Sequence, residues 1–251
     1  MNSLYTTSKF AIIILALFFI SASASCKHNK NSSQVNTLKK DFSTDKNLFI
    51  ATWTNKIKND DYQGFILYKD GSANSVNRAN LLYKKWKVVD NKLILKYLKF
   101  KEDFSSSAGN EIFIIKKITS DSLILESEKK TFKYIRNEAA RFPSVNIKAN
   151  QTVKSPLMIK VNSKGVWTAY EGELGTVSIV DETGRELGKT QILTSADGDW
   201  MHIGNALFQA KLTFKTNGKT KAKLVFYNDS GPGEGEEAGK SEKFEIPVKL
   251  K

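Results

Sequence analysis

Apolar and polar residues alternate with a period of two through most of this chain, and the alternation predicts strands. In residues 131–136, Phe132 and Tyr134 fall on one face and Lys133 on the other. In residues 82–88, Leu82, Trp86 and Val88 share a face with Lys84, while Tyr83, Lys85 and Lys87 share the opposite one. Residues 111–116 (EIFIIK) and 121–126 (DSLILE) are short β-rich runs on either side of a turn at Thr119-Ser120-Asp121. Lys69-Asp70-Gly71 and Val89-Asp90-Asn91 mark two more turns. The second half alternates more cleanly. Leu157, Ile159 and Val161 oppose Met158 and Lys160, and Ala222, Leu224 and Phe226 alternate with Lys221, Lys223 and Val225. Phe244, Ile246, Val248 and Leu250 make a last strand, in which Pro247 argues for an edge or a bulge. No apolar stripe of helical period competes. Short strands with frequent turns predict an all-β chain: a small up-and-down antiparallel barrel, then a sandwich of seven or so strands.

One apolar run has a different meaning. Residues 10–20 (FAIIILALFFI) follow Lys9 and are too few to cross a bilayer core of about 30 Å as a helix. Their proportions are those of a secretory signal peptide. Ser21-Ala22-Ser23-Ala24-Ser25 leads into Cys26, the only cysteine, so no intramolecular disulfide can form. This arrangement resembles a bacterial lipoprotein signal, although Ser23 stands where the family usually has an aliphatic residue. The resemblance implies that Cys26 is acylated and heads the mature protein. The alternative is an ordinary signal cut nearby that leaves a free thiol. Lys27 follows the cysteine with no acidic retention signal, which by the same resemblance implies an outer-membrane lipoprotein facing the periplasm. Residues 27–46 are polar and rich in Asn, Ser and Lys, and cannot bury enough surface to offset their ordering entropy.

The organisation expected is therefore a signal peptide (1–25), a lipidated cysteine and tether (26–46), a barrel (47–137), a linker (138–152) and a sandwich (153–251). Charge supports the division: residues 46–136 carry 18 basic and 10 acidic side chains, residues 151–251 carry 14 and 13. Thr52-Trp53, residues 64–73 (GFILYKDGSA), Ser75-Val76-Asn77, residues 81–86 (LLYKKW), residues 91–95 (NKLIL), residues 118–123 (ITSDSL) and Tyr134-Ile135-Arg136 together resemble bacterial lipocalin-like domains. Residues 101–110 (KEDFSSSAGN) depart from that pattern at one barrel mouth. Ser155-Pro156-Leu157, Gly165-Val166-Trp167, Glu171-Gly172, residues 180–184 (VDETG), Leu187-Gly188, Gly198-Asp199-Trp200-Met201 and residues 228–231 (NDSG) resemble the immunoglobulin-like domain of bacterial spore germination proteins. That module implies an adhesive or spacer role.

The chemistry is sparse. His28 and His202 are the only histidines, and there is no CxxC, HExxH, phosphate loop or EF-hand. Asp197-Gly198-Asp199 reads as a turn rather than a pair of carboxylates on a cation, and residues 229–237 (DSGPGEGEE) as a solvated acidic loop rather than a calcium site, with docking on the lysine-rich barrel wall as a further role. No enzyme activity, cofactor or metal is expected. The export signal disfavours nucleic acid despite a formal net charge of +13. Two binding surfaces stand out. Phe65, Tyr83 and Trp86, with Asn77 or Arg78 at the rim, would line a barrel pocket, because a small barrel holds either side chains or one small ligand. Lys84, Lys85, Lys87 and Lys96 would face anionic headgroups, or else form a solvated wall. The function expected is non-catalytic binding in the cell envelope, of a small apolar or amphipathic molecule or of a protein partner. The runner-up is a structural or assembly lipoprotein with a filled barrel. Replacing Cys26 by Ser should move the protein from the membrane fraction to the soluble fraction of its host. A variant that stays with the membrane would remove acylation as the anchor.

Overall fold

The computed structural model describes residues 45–57, 61–101, 103, 105–196, 198, 204–228 and 241–251. Cys26, His28, His202, Asp197, Asp199 and the acidic loop 229–237 lie outside them. The described chain is all-β: a nearly closed eight-stranded barrel and a second, curled eight-stranded sheet.

The barrel consists of β1 (Ala51–Lys56), β2 (Tyr62–Leu67), β3 (Ala73–Val76), β4 (Leu81–Val89), β5 (Lys92–Phe100), β6 (Ser106–Ile118), β7 (Ser122–Ser127) and β8 (Lys130–Arg136). Its order, β3-β2-β1-β8-β7-β6-β5-β4, is an up-and-down meander closed on itself by the pairing of β1 with β8. The seam between β3 and β4 is joined by the Trp86 amide donating to the Gly71 carbonyl at 2.9 Å and the Tyr83 amide donating to Ser75 Oγ at 2.9 Å. A 3-10 turn at Lys46–Phe49 precedes β1, so ordered structure begins inside the stretch read as tether.

The alternation expected for β4 is broken. Tyr83 opposes Tyr97 and Lys85 opposes Lys96, which leaves Lys84 as the extra residue of a bulge. The bulge shifts the phase by one, so both Tyr83 and Trp86 point inward and Lys84 no longer shares a face with Trp86. Two glycines permit close approaches. A Cβ on Gly64 would sit 1.9 Å from the Trp53 carbonyl oxygen, and one on Gly109 would sit 2.5 Å from Tyr97 Oη. The departure seen at residues 101–110 is thus partly strand: Ser106 to Asn110 extend β6, and Gly109 makes room for Tyr97.

The second sheet is built from β9 (Ser144–Val145), β10 (Thr152–Val153), β11 (Leu157–Asn162), β12 (Glu173–Asp181), β13 (Glu186–Thr194), β14 (Leu207–Leu212), β15 (Lys221–Asn228) and β16 (Glu242–Leu250). The order β10-β16-β15-β12-β13-β14-β11-β9 is one continuous sheet, in which β12 pairs with both β15 and β13. Residues 138–152, expected as a linker, carry β9, which pairs with β11, and the start of β10, which runs parallel to the end of β16. The connection is therefore built into the sheet by its own backbone bonds. Pro247 falls before the two residues of β16 that β10 covers, and its carbonyl accepts from the Asn150 amide at 2.7 Å.

The apolar residues form two cores that share a wall. Phe65 and Leu67 of β2 point into the barrel with Trp53, Tyr83, Leu93, Leu95, Leu123 and Leu125. Ile66, Tyr68 and Val76 point the other way, into the core of the second sheet with Val161, Trp167, Leu224 and Phe226. Polar contacts complete the junction. The Asn77 amide donates to the Lys164 carbonyl at 2.7 Å, Asn74 Nδ2 donates to the Val166 carbonyl at 2.9 Å, and Lys164 Nζ lies 3.2 Å from Asp61. The barrel and the second sheet should unfold in one transition. Ile66→Ala should lower stability by about 2–5 kcal/mol. Tryptophan fluorescence, from Trp53 and Trp86 in the barrel and Trp167 in the sheet, and far-ultraviolet dichroism should report the same shifted midpoint. Two separated transitions, with only one moved by the substitution, would refute the shared wall.

Candidate functional site

The five residues expected around a barrel pocket take three different places. Phe65, Tyr83 and Trp86 lie in the barrel core, and Phe65 and Tyr83 have no exposed surface. Leu93, Leu95, Leu123 and Leu125 have none either. A ligand-sized space against these side chains would expose them, so this part of the interior is filled. Phe65 packs on Tyr134 at 4.9 Å between ring centroids and edge-on against Tyr83 at 6.0 Å. Asn77 is buried outside the barrel lumen, at the junction. Its backbone is left-handed at φ 52°, which asparagine tolerates better than most residues. Its side-chain amide donates to Asp61 Oδ2 and to the Tyr62 carbonyl, both at 2.8 Å. Burial pushes the Asp61 carboxyl up, but the bonds from Asn77, Tyr62 and Lys164 outweigh that and hold it below its ordinary value. Asn77 is thus an architectural residue and not a rim ligand, because its donors are already used.

Arg78 does stand at a mouth. Its Nη2 is 3.4 Å from Glu111 Oε1, and its guanidinium lies 5.4 Å from the Tyr83 ring centroid. Tyr83 Oη donates to Glu111 Oε2 in a short bond. Burial is the main reason the Tyr83 phenol titrates far above its ordinary value; the Arg78 charge opposes this and the Glu111 charge adds to it. Burial, again opposed by the Arg78 charge and aided by the Glu111 charge, pushes Tyr134 up to about 12. Glu111 is the member that the sequence pattern missed, since it sits in the β-rich run EIFIIK with apolar neighbours on both faces. The cluster presents a guanidinium and a carboxylate beside neutral phenols. It can hydrogen-bond a polar headgroup, and it holds no histidine or thiol to act as base or nucleophile. Among the described residues, no group of three or more His, Cys, Asp or Glu is placed to hold a metal ion.

The lysines separate as well. Lys85, Lys87 and Lys96 are exposed on the outer wall, whereas Lys84 occupies the half-buried bulge. A further feature was not read from the sequence. A groove of about 610 Å³ runs beside β16, between Ala139, Phe142, Pro143 and Val145 on one side and Lys243 to Ile246 on the other. On the edge of β16 away from β15, no strand among the described residues covers Glu242 to Ile246, because β10 pairs only with Lys249 and Leu250.

Residues 45–137 match the model of the lipocalin-like family, and the barrel is accordingly a lipocalin-like domain. Two solved structures are similar. One is a lipocalin-like protein from Bacteroides thetaiotaomicron VPI-5482, 28% identical, covering 35% of this chain and 95% of that one with a TM-score of 0.33. The other is CopC from Methylosinus trichosporium OB3b, 14% identical, covering 43% of this chain and 91% of that one with a TM-score of 0.30. No curated protein matches the chain. The lipocalin-like fold belongs in general to non-enzymatic binding proteins.

The phenols set an alkaline limit on stability. A raised folded-state value means that the folded protein holds these protons more tightly than the unfolded chain does. The stabilisation is complete below the ordinary tyrosine value near 10 and is lost as pH rises through the raised values. Denaturant midpoints should therefore fall steadily above about pH 10. Glu111→Leu, which strands the buried Tyr83 hydroxyl, should cost about 1–3 kcal/mol at neutral pH, more than Glu111→Gln does. Equal losses in the two variants would show that Tyr83 does not depend on this acceptor.

Proposed function

We propose that this protein is a non-catalytic cell-envelope lipoprotein, anchored through acylated Cys26, whose barrel is a filled scaffold and which works through its outer surfaces on an envelope partner. The observation that carries this reading is the burial of Phe65, Tyr83, Leu93, Leu95, Leu123 and Leu125, none of which has exposed surface in this part of the barrel interior. The shared core makes the barrel and the second sheet a rigid pair, as suits a part that holds other parts in place. The groove beside β16 is the surface we assign to the partner, because it combines apolar side chains with an uncovered strand edge. In this reading the second sheet is an immunoglobulin-like module of the spore germination type, which supplies adhesion. The signal peptide and Lys27 favour the periplasmic face of the outer membrane.

A second reading has one observation behind it. Arg78 is only partly covered and meets its carboxylate partner at 3.4 Å, so a small amphipathic molecule could place its polar end at the mouth. Native mass spectrometry of residues 27–251, purified from the host envelope, separates the two. A single apo mass, with a protein partner retained in gentle pull-down and lost with Phe244→Asp, is the expected result. A reproducible small extra mass that disappears with Arg78→Ala would overturn the scaffold reading in favour of the carrier.

A further inference from the structure

We propose that the outer wall of the barrel formed by β4, β5 and β6 lies flat against an anionic lipid surface. The inference deepens the envelope reading above by naming what this wall touches. Strand register sets the wall's composition. Lys87, Ile94 and Ile112 stand in one row across the three strands, Val89, Lys92 and Ile114 in the next, and Lys85, Lys96 and Asn110 in a third. Ile112 is 51% exposed, Ile114 41% and Val89 43%. A wall that only meets water gains nothing from large aliphatic residues set between its lysines, and contiguous exposed apolar patches mark interaction sites. The opposite, inward set of the same strands (Leu93, Leu95, Phe113, Ile115) supplies the core, and the outward Val89, Ile112 and Ile114 are not part of it.

Three of the wall's lysines are also uncommitted. Among the described residues Lys87, Lys92 and Lys96 make no ion pair, while the acid at the end of the second row, Glu126, is held by Lys116 at 3.1 Å. Uncompensated ammonium groups on flexible stems beside short aliphatic side chains suit a headgroup layer. The aliphatic side chains enter the boundary of the acyl region while the lysines reach up to the phosphates. A nucleic acid would use the lysines and leave the isoleucines unmatched, and an acidic protein surface would need its own apolar complement.

Flotation of residues 27–251, which lack the acylated cysteine, tests this directly with phosphatidylcholine vesicles prepared with or without phosphatidylglycerol. The protein should float only with the anionic vesicles and detach as salt is raised, since screening weakens exposed charges. Changing Lys87, Lys92 and Lys96 together to Glu should weaken vesicle binding at least about a hundredfold. Ile112→Ser with Ile114→Ser should weaken it at low salt, where the lysines still act. All five positions are on the surface, so melting temperatures matching the parent will assign any loss to the surface itself. Failure of the parent to float, equal flotation with neutral vesicles, or a triple variant that floats like the parent would each overturn the proposal. No acyl chain takes part in the assay, so its outcome is separate from whether Cys26 anchors the chain.

Discussion

Strand β2 is buried on both faces, and the rest of the molecule is arranged around that fact. Gly64 to Tyr68 are all buried. Alternate side chains of a strand point to opposite sides, so Phe65 and Leu67 serve one core while Ile66 and Tyr68 serve the other. A one-residue slip of β2 would exchange the two sets and put the phenol of Tyr68 into the barrel. The register is therefore held from both sides at once. Gly64 is required for the same reason, because no side chain fits where β2 crosses the Trp53 carbonyl.

The polar contacts at the junction make sense only behind this wall. Glu242 accepts from Arg141 at 2.7 Å and from Tyr68 Oη at 3.3 Å, with the Arg141 guanidinium 5.0 Å from the Tyr68 ring centroid. Burying a carboxylate is costly unless it is paired, so this cluster is better at specifying one arrangement than at adding stability. Arg141 comes from the 3-10 turn after β8, Tyr68 from the end of β2, and Glu242 from the start of β16. Three elements far apart in sequence are thereby held in one relation. Thr52 adds a fourth tie, bonding the Glu138 carboxylate through both its amide and its hydroxyl.

Fold class was legible in the chain because period-two alternation is a local property. What escaped was every feature produced by a nonlocal event. The run GFILY is the sequence sign of a strand buried on both faces, but an unbroken apolar run reads equally well as an ordinary core strand. The bulge at Lys84 lies in the pairing of β4 with β5, which no local pattern records, so Tyr83 was set on the face opposite Trp86. Asn77 drew notice as a polar residue near aromatic ones, whereas its role comes from Lys164, almost ninety positions later. Glu111 joined the mouth only when register brought it beside Tyr83. Phe65 and Trp86 were identified as central, but composition alone cannot tell a lined pocket from a filled one.

That last distinction decides where function can reside. A barrel of this size must choose between its own aromatic side chains and a guest, since both need the same volume. Here Trp53, Phe65, Tyr83 and Tyr134 take the volume, and β2 cannot shift outward to release it without tearing Ile66 and Tyr68 from the second core. Opening the lumen would therefore cost stability in both halves, unlike in a free-standing barrel whose outer wall meets only water. Joining the two cores ties any outward movement of β2 to the second sheet, while the mouth, the groove beside β16 and the basic outer wall lie outside the shared strand.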